Sequence, residues 1–191
     1  MCFAGRGSSN IEVSHDLEKT KTQIKNRNSK REQFDKSKTM MSLDYIFGSK
    51  TSGRMDFSKV AFVHSRRTGR IRHLTDKTTG NVLFSFRPNG TIAPTVAGAG
   101  LMASRKNNSR ARSSRNWEII VIDGVSEVVS KGKTVFCKHV VSCSDSLRPG
   151  EDVSIVNEKG ELLAVGKTVV GGPTIKQFKK GQAVKIREGS A

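Results

Sequence analysis

The ten residues Ser65 to Leu74, SRRTGRIRHL, set Arg66, Arg67, Arg70, Arg72 and His73 around a Thr68-Gly69 turn with no carboxylate among them. A guanidinium is planar, permanently charged and forked, so four of them on one short element select phosphate as their partner. The chemistry this offers is binding rather than bond-breaking. By the two-residue period of a strand, Arg70 and Arg72 share a face while Arg66 lies across the turn. Two or three of the four are therefore expected on phosphate, leaving another to pair with Asp44 or Asp76.

Other reactive side chains are less suggestively placed. Cys137, His139 and Cys143 offer three metal ligands on one short element, without a fourth nearby and without the spacing of a zinc finger. They read as structural. The carboxylates Glu151-Asp152 and Glu158/Glu161 fall at turns and hairpin tips, where acids serve solvation and turn formation. Gly171-Gly172 and Gly98-x-Gly100 lack the Lys-Ser/Thr or strand-helix setting of a phosphate loop. No catalytic residue, metal or cofactor is expected from these patterns.

The elements that must hold the arginines are short. Val60 to Ser65 reads as a strand entering the Thr68-Gly69 turn. Ile71 to His73, Asn81 to Phe86 and Thr91 to Val96 supply further strands, separated by Thr79-Gly80 and Pro88-Asn89-Gly90 turns. Leu43, Tyr45, Ile46 and Phe47 form an amphipathic start, and Ala97 to Met102 a closing helix. The expected core of this α+β unit is Tyr45, Phe47, Phe62, Val63, Ile71, Leu83, Phe84, Phe86 and Leu101. After it, residues 104–116 hold five cations and almost nothing apolar, which reads as an extended basic linker. From Trp117 onward, Ile119 to Ile122 reads as a buried strand and Val135 to Cys143 as a short helix or strand-helix. Val153 to Val156 and Leu162 to Val170 form a hairpin around Glu158-Lys159-Gly160, Thr174 to Lys180 one or two helical turns, and Ala183 to Arg187 a closing strand. So many short strands with two small helices indicate a compact pseudo-barrel.

Charge follows the same organisation. The 191 residues carry a formal net charge of +17 and a pI near 10.3, typical of a nucleic-acid partner. Cations outnumber acids by 14 to 3 over residues 39–117, against 9 to 5 before and 11 to 9 after, so the excess is concentrated around the arginine hairpin. Residues 1–38 show no sustained apolar face and read as a disordered or weakly helical tail. A second reading places the physiological start at Met40 or Met41. No run of about 18 apolar residues argues for a membrane span. Three cysteines make no disulfide framework, and the N-terminus lacks a secretory h-region, so a reducing cytoplasm is the expected compartment.

Two stretches resemble known families. The order Gly132 with Thr134-Val135-Phe136-Cys137-Lys138, then LRPGEDVSIVNEKGELLAVGKTVVGG, then FKKGQAVKIR, is similar to a PUA domain, the small RNA-binding pseudo-barrel of pseudouridine synthases and archaeosine transglycosylases. Upstream, Asp44 to Gly48, SRRTGRIRHL, Leu83 to Pro88 and Val96 to Ala99 resemble the accessory domain that precedes PUA in archaeal tRNA-guanine transglycosylase, which inserts a 7-deazaguanine base in the tRNA D-loop region. The division implied is a tail over 1–38, an α+β accessory domain over 39–103, the linker, and a mostly-β PUA pseudo-barrel over 117–188. The resemblance places RNA on the loop after Lys131-Gly132 and the adjacent strands. Gly132 would admit close backbone approach, Val135, Phe136 and Val140 would wall a slot for an RNA end, and Lys138, Lys185 and Arg187 would hold phosphate. The large catalytic barrel of that family has no counterpart, since a (β/α)₈ barrel takes roughly 200 residues or more. A non-catalytic tRNA-binding subunit working with a separately encoded barrel is therefore expected. The alternative is a free-standing PUA protein binding rRNA or tRNA in ribosome assembly or translation.

Overall fold

The computed structural model describes residues 29–48, 51–103 and 117–191. The expected linker over 104–116, and residues 1–28 of the expected tail, lie outside them. The chain divides into two compact units, Met1–Thr39 and Met40–Ala191. Helix α1 covers 29–47, so residues 29–38 of the segment read as disordered or weakly helical are helical.

Within the second unit, α1 buries a single stripe. Leu43 and Phe47, one turn apart, are fully enclosed, whereas Tyr45 is 91% exposed. At about 100° per residue, Tyr45 lies roughly 200° from Leu43, which puts it on the far side of the helix. Its expected place in the core is corrected accordingly. The helix ends in a hydrogen-bonded knot. Thr51 Oγ1 donates to the carbonyls of Phe47 and Gly48, at 3.3 and 2.7 Å, and Asp44 accepts from the Ser52 amide and hydroxyl at 2.7 and 2.8 Å.

Four strands follow as an antiparallel meander: β1 (Val60–His64), β2 (Ile71–Asp76), β3 (Val82–Phe86) and β4 (Ile92–Pro94), in the order β1-β2-β3-β4. Phe62 pairs with Leu74, Leu74 with Phe84, and Phe84 with Pro94. That row faces the core, and the neighbouring row Val63, His73, Ser85 and Ala93 therefore points the other way. Val63, expected inside, is 41% exposed for that reason.

Helix α2 (Val96–Ala103) closes the sheet. Its approach depends on a missing side chain: a Cβ on Gly98 would stand 2.0 Å from the Leu83 carbonyl oxygen. Met102 is buried and Leu101 exposed, the reverse of the expectation for Leu101. Arg54 Nη1 donates to Met102 O at 3.0 Å, satisfying a carbonyl of the last turn.

The second sheet has six strands in the order β6-β10-β9-β8-β5-β7. These are β5 (Glu118–Val121), β6 (Val135–Phe136), β7 (Val140–Cys143), β8 (Asp152–Asn157), β9 (Leu162–Thr168) and β10 (Gln182–Gly189). β5 runs parallel to β8, and all other pairs are antiparallel. Strands β6 and β7 lie at opposite ends of that order, yet only the 3₁₀ turn Cys137–His139 separates them. Five strand spacings in a flat sheet are about 24 Å, while four Cα steps reach at most about 14 Å. The sheet must curl, and it forms a nearly closed, barrel-like wall. Val135 to Cys143 is thus strand, turn and strand rather than a helix. Short helices α3 (Ser126–Ser130) and α4 (Gly172–Gln177) pack on the barrel.

Each sheet has its own core, and two buried residues of the C-terminal half enter the core of the four-stranded sheet. Trp117, 3% exposed, meets Phe47 edge-on at 5.6 Å, and Val165 of β9 packs in the same cluster as Leu74, Phe84 and Met102. A fully buried side chain of this size contributes roughly 1.5–3 kcal/mol, so this seam couples the two halves strongly. Among the described residues no helix is long and apolar enough to cross a membrane.

Candidate nucleic-acid interface

The arginine hairpin is held by its own backbone. The Ser65 amide donates to Arg70 O and the Gly69 amide to Ser65 O, both at 2.8 Å. The register then breaks. Val63 pairs with His73 but His64 pairs with Ile71, leaving Arg72 as the extra residue of a bulge. A bulge interrupts the strict alternation of side chains, and here it brings Arg72 beside His73. A concavity of about 560 Å³ results, lined by Arg66, Arg67, Arg72 and His73 together with Val63, His64 and Ser65. The Ser85 hydroxyl sits 3.1 Å from His73 Nδ1 and fixes that ring.

No acid lines this hollow. Among the described residues, none of Arg66, Arg67, Arg70 and Arg72 makes an ion pair, and all four are exposed. Asp44 is spent on Ser52, and Asp76 caps the β2–β3 turn by accepting from the Thr78 amide at 2.8 Å. That bond holds the Asp76 carboxyl below its ordinary value. Neither acid takes the spare arginine, contrary to expectation. Three uncompensated guanidiniums around one depression repel one another, an arrangement relieved by an anion with several oxygens. Arg70, expected to share a face with Arg72, does not line the hollow.

The expected residues of the barrel separate into three groups. Gly132 ends α3 at φ +82°, its amide donating to Val129 O at 2.9 Å, and a Cβ there would project into open space. Lys138 and Lys185 are exposed and have no ion pair among the described residues, while Phe136 is 42% exposed and edge-on to His139. Val135 is 1% exposed and belongs to the barrel core, so it walls no slot. Val140 is partly buried against the same core.

Arg187 also has other work. It pairs with Asp152 and donates to the Pro94 carbonyl. Arg87 reaches the same carboxylate with two bonds, of 2.7 and 3.1 Å. Asp152, its side chain only 5% exposed, thus bridges the end of β3 to β10 and ties the four-stranded sheet to the barrel. Sequence reasoning treated Asp152 as a turn acid and Arg187 as a phosphate ligand, and neither description fits. Pairing across 65 and 35 residues leaves no local pattern to read.

Cys137 and Cys143 are buried in the barrel core. The Cys143 thiol donates to Gly172 O at 3.6 Å, and burial pushes its pKa up, which disfavours the thiolate a metal requires. Among the described residues, no three His, Cys, Asp or Glu side chains converge as a metal site.

Comparison with known proteins matches both halves. Residues 39–105 match the patch-forming domain C2 of tRNA-guanine transglycosylase, and residues 117–189 match the PUA domain. The chain carries a C2 domain followed by a PUA domain. Relatives include the tRNA-guanine(15) transglycosylases of Methanocaldococcus jannaschii, 35% identical over 148 residues, and Methanococcus aeolicus, 37% identical over 152. Each alignment covers 77% of this chain and 22% of the relative, so the C2–PUA chain spans about a fifth of their length. The similarity falls on their C-terminal part, outside the catalytic domain. A hypothetical protein from Pyrococcus horikoshii has the same fold, with a TM-score of 0.63 at 20% identity over 82% of this chain and 90% of that one. A PUA domain protein of Aeropyrum pernix gives a TM-score of 0.53 at 15% identity, covering 80% and 79%.

Proposed function

We propose that this C2–PUA chain is a non-catalytic tRNA-binding subunit, gripping backbone and acceptor end while a separately encoded transglycosylase barrel exchanges a guanine for a 7-deazaguanine base in the cytoplasm. The observation that carries the reading is the bulge-built hollow of Arg66, Arg67 and Arg72, without an acid to balance it, on a scaffold clamped to the PUA barrel. The subunit would supply positioning rather than chemistry. Its relatives carry the same two domains at the end of a longer tRNA-guanine(15) transglycosylase. Exposed Met41, Tyr45 and Ile46 on α1 fit a surface that another protein covers.

A second reading, a free-standing binder of rRNA or tRNA, is favoured by the Pyrococcus protein, in which the same architecture makes up nine-tenths of a chain. The deciding experiment is fluorescence anisotropy with tRNA, intact and lacking its 3′-terminal CCA, across a salt series, alongside copurification with a tagged catalytic barrel. Steep salt dependence, loss of affinity without CCA and capture of the barrel are expected. Salt-steep binding indifferent to CCA, with no barrel captured, would transfer the function to the second reading. Absence of RNA binding would refute both.

A further inference from the structure

A second cleft lies on the barrel, outside the Gly132 loop and away from the arginine hairpin in the chain. About 280 Å³ in volume, it opens between the turn Cys137–His139, β7 and α4, and its lining includes Lys138, Val141, Ile175, Lys176, Phe178 and Lys179. Ile175 is buried and forms an apolar floor. Phe178 and Val141, on the rim, are 58% and 50% exposed. Only Lys176 has an acidic partner, Asp145 at 2.7 Å. Lys138 and Lys179 make no ion pair among the described residues, and no carboxylate lines the cleft.

An exposed aromatic ring beside unpaired ammonium groups matches one ligand class closely. Duplex RNA presents phosphates but hides its base faces, whereas an unstacked nucleotide offers a π-face and a phosphate together. An acidic peptide would use the lysines and leave Phe178 idle. We propose that this cleft holds a single unpaired nucleotide of RNA, its base against Phe178 and Val141 and its phosphate on Lys138 and Lys179. The cleft is too small for a folded partner and lies near the lower end of small-ligand sites, roughly 300 Å³. The inference rests on the RNA-binding reading, and the two fail differently.

The test compares three fluorescent probes on the full chain: tRNA, unstructured oligouridine and a blunt RNA duplex. Phe178→Ala should weaken oligouridine binding about 5- to 140-fold, the range for losing one base–aromatic stack. It should leave the duplex unchanged. A Lys138→Gln/Lys179→Gln double variant, at exposed positions, should lower the oligouridine salt slope by about 0.7, the contribution of the one phosphate the two lysines share. Equal effects of Phe178→Ala on both probes, or none on either, would overturn the proposal. So would wild-type protein that binds tRNA but not oligouridine, or a poly-glutamate peptide that displaces oligouridine in a Lys138-dependent, Phe178-independent way. Failure to bind any of the three RNAs would sink the RNA-binding reading itself.

Discussion

Replacing Arg66, Arg67 and Arg72 together by Gln tests whether the bulge, rather than arginine content, makes the interface. All three line one hollow and lack ion-pair partners among the described residues, so the substitution removes cations without orphaning an acid. Each phosphate contact contributes about 0.7 to 0.9 to the slope of log affinity against log salt, so losing three lowers the slope by about 2.1 to 2.7. Between 50 and 200 mM salt, wild-type protein would then lose roughly 20- to 40-fold more affinity for tRNA than the variant. The assay is anisotropy at several salt concentrations, with the thermal midpoint confirming that these exposed changes leave the fold intact. Arg70→Gln is the internal control, because Arg70 has the same charge on the same hairpin but stands outside the hollow. A triple variant that changes the slope by less than about 1, or an Arg70→Gln effect equal to that of each other arginine, would refute the reasoning.

Three further outcomes follow from the scaffold. Asp152→Ala leaves two guanidiniums, each about a third exposed, without their buried carboxylate; a loss of about 2–3 kcal/mol, between exposed and buried pairs, should lower the midpoint by about 4–12 °C. Gly98→Ala and Gly100→Ala should have opposite signs in a thermal melt. The first drives a Cβ to 2.0 Å from Leu83 O and destabilises by about 2 kcal/mol, while the second meets only Leu162 Cδ2 at 3.9 Å and gains up to about 1 kcal/mol of helix propensity. Asp76 has a folded pKa held below its ordinary 3.8 by the Thr78 amide, so its contribution is complete above that value and disappears as pH falls through the lowered one. An NMR titration of its carboxyl should give a midpoint below 3.8 that Thr78→Pro, which removes the amide, moves back toward 3.8; an unshifted midpoint in the wild type would refute this.

What could be read from the sequence was local. Thr68-Gly69, Thr79-Gly80 and Asn89-Gly90 each mark a turn of the four-stranded meander, and the Ala97 to Met102 run is helical. The resemblance to two domains rested on such local runs in a fixed order, and both families match. What escaped was whatever required knowing a neighbour in space. Period-two counting grouped Arg70 with Arg72, but a one-residue bulge opposite His64 gave Arg72 different company. Tyr45, Val63 and Leu101 are apolar residues on elements whose buried face lies one or two positions away. Trp117, at the edge of the basic segment, is the residue on which the two halves meet. Lys176 and Lys179 were present in TIKQFKKG, yet only the fold of α4 against β7 sets them beside Lys138.

The Asp152 bridge gives the arrangement its mechanical logic. Two modest binding surfaces joined loosely act with an effective concentration set by their tether, and two joined rigidly reach its upper limit only when their spacing matches the ligand. Here the tether is not the stretch 104–116 alone. Trp117 against Phe47, Val165 in the accessory core, and Arg87 and Arg187 on one carboxylate fix the hairpin and the barrel as parts of one unit. On the proposed reading, Asp152→Ala should therefore weaken binding of tRNA, which spans both surfaces, while sparing an oligouridine that fills only the barrel cleft. A local phosphate role for Arg187 predicts a different pattern: Arg187→Gln would then lower the salt slope by about 0.7 to 0.9, and Arg87→Gln, on the same bridge, would do nothing to it. Matching losses from all three substitutions, at an unaltered slope, identify the bridge as the device that converts two weak contacts into one grip.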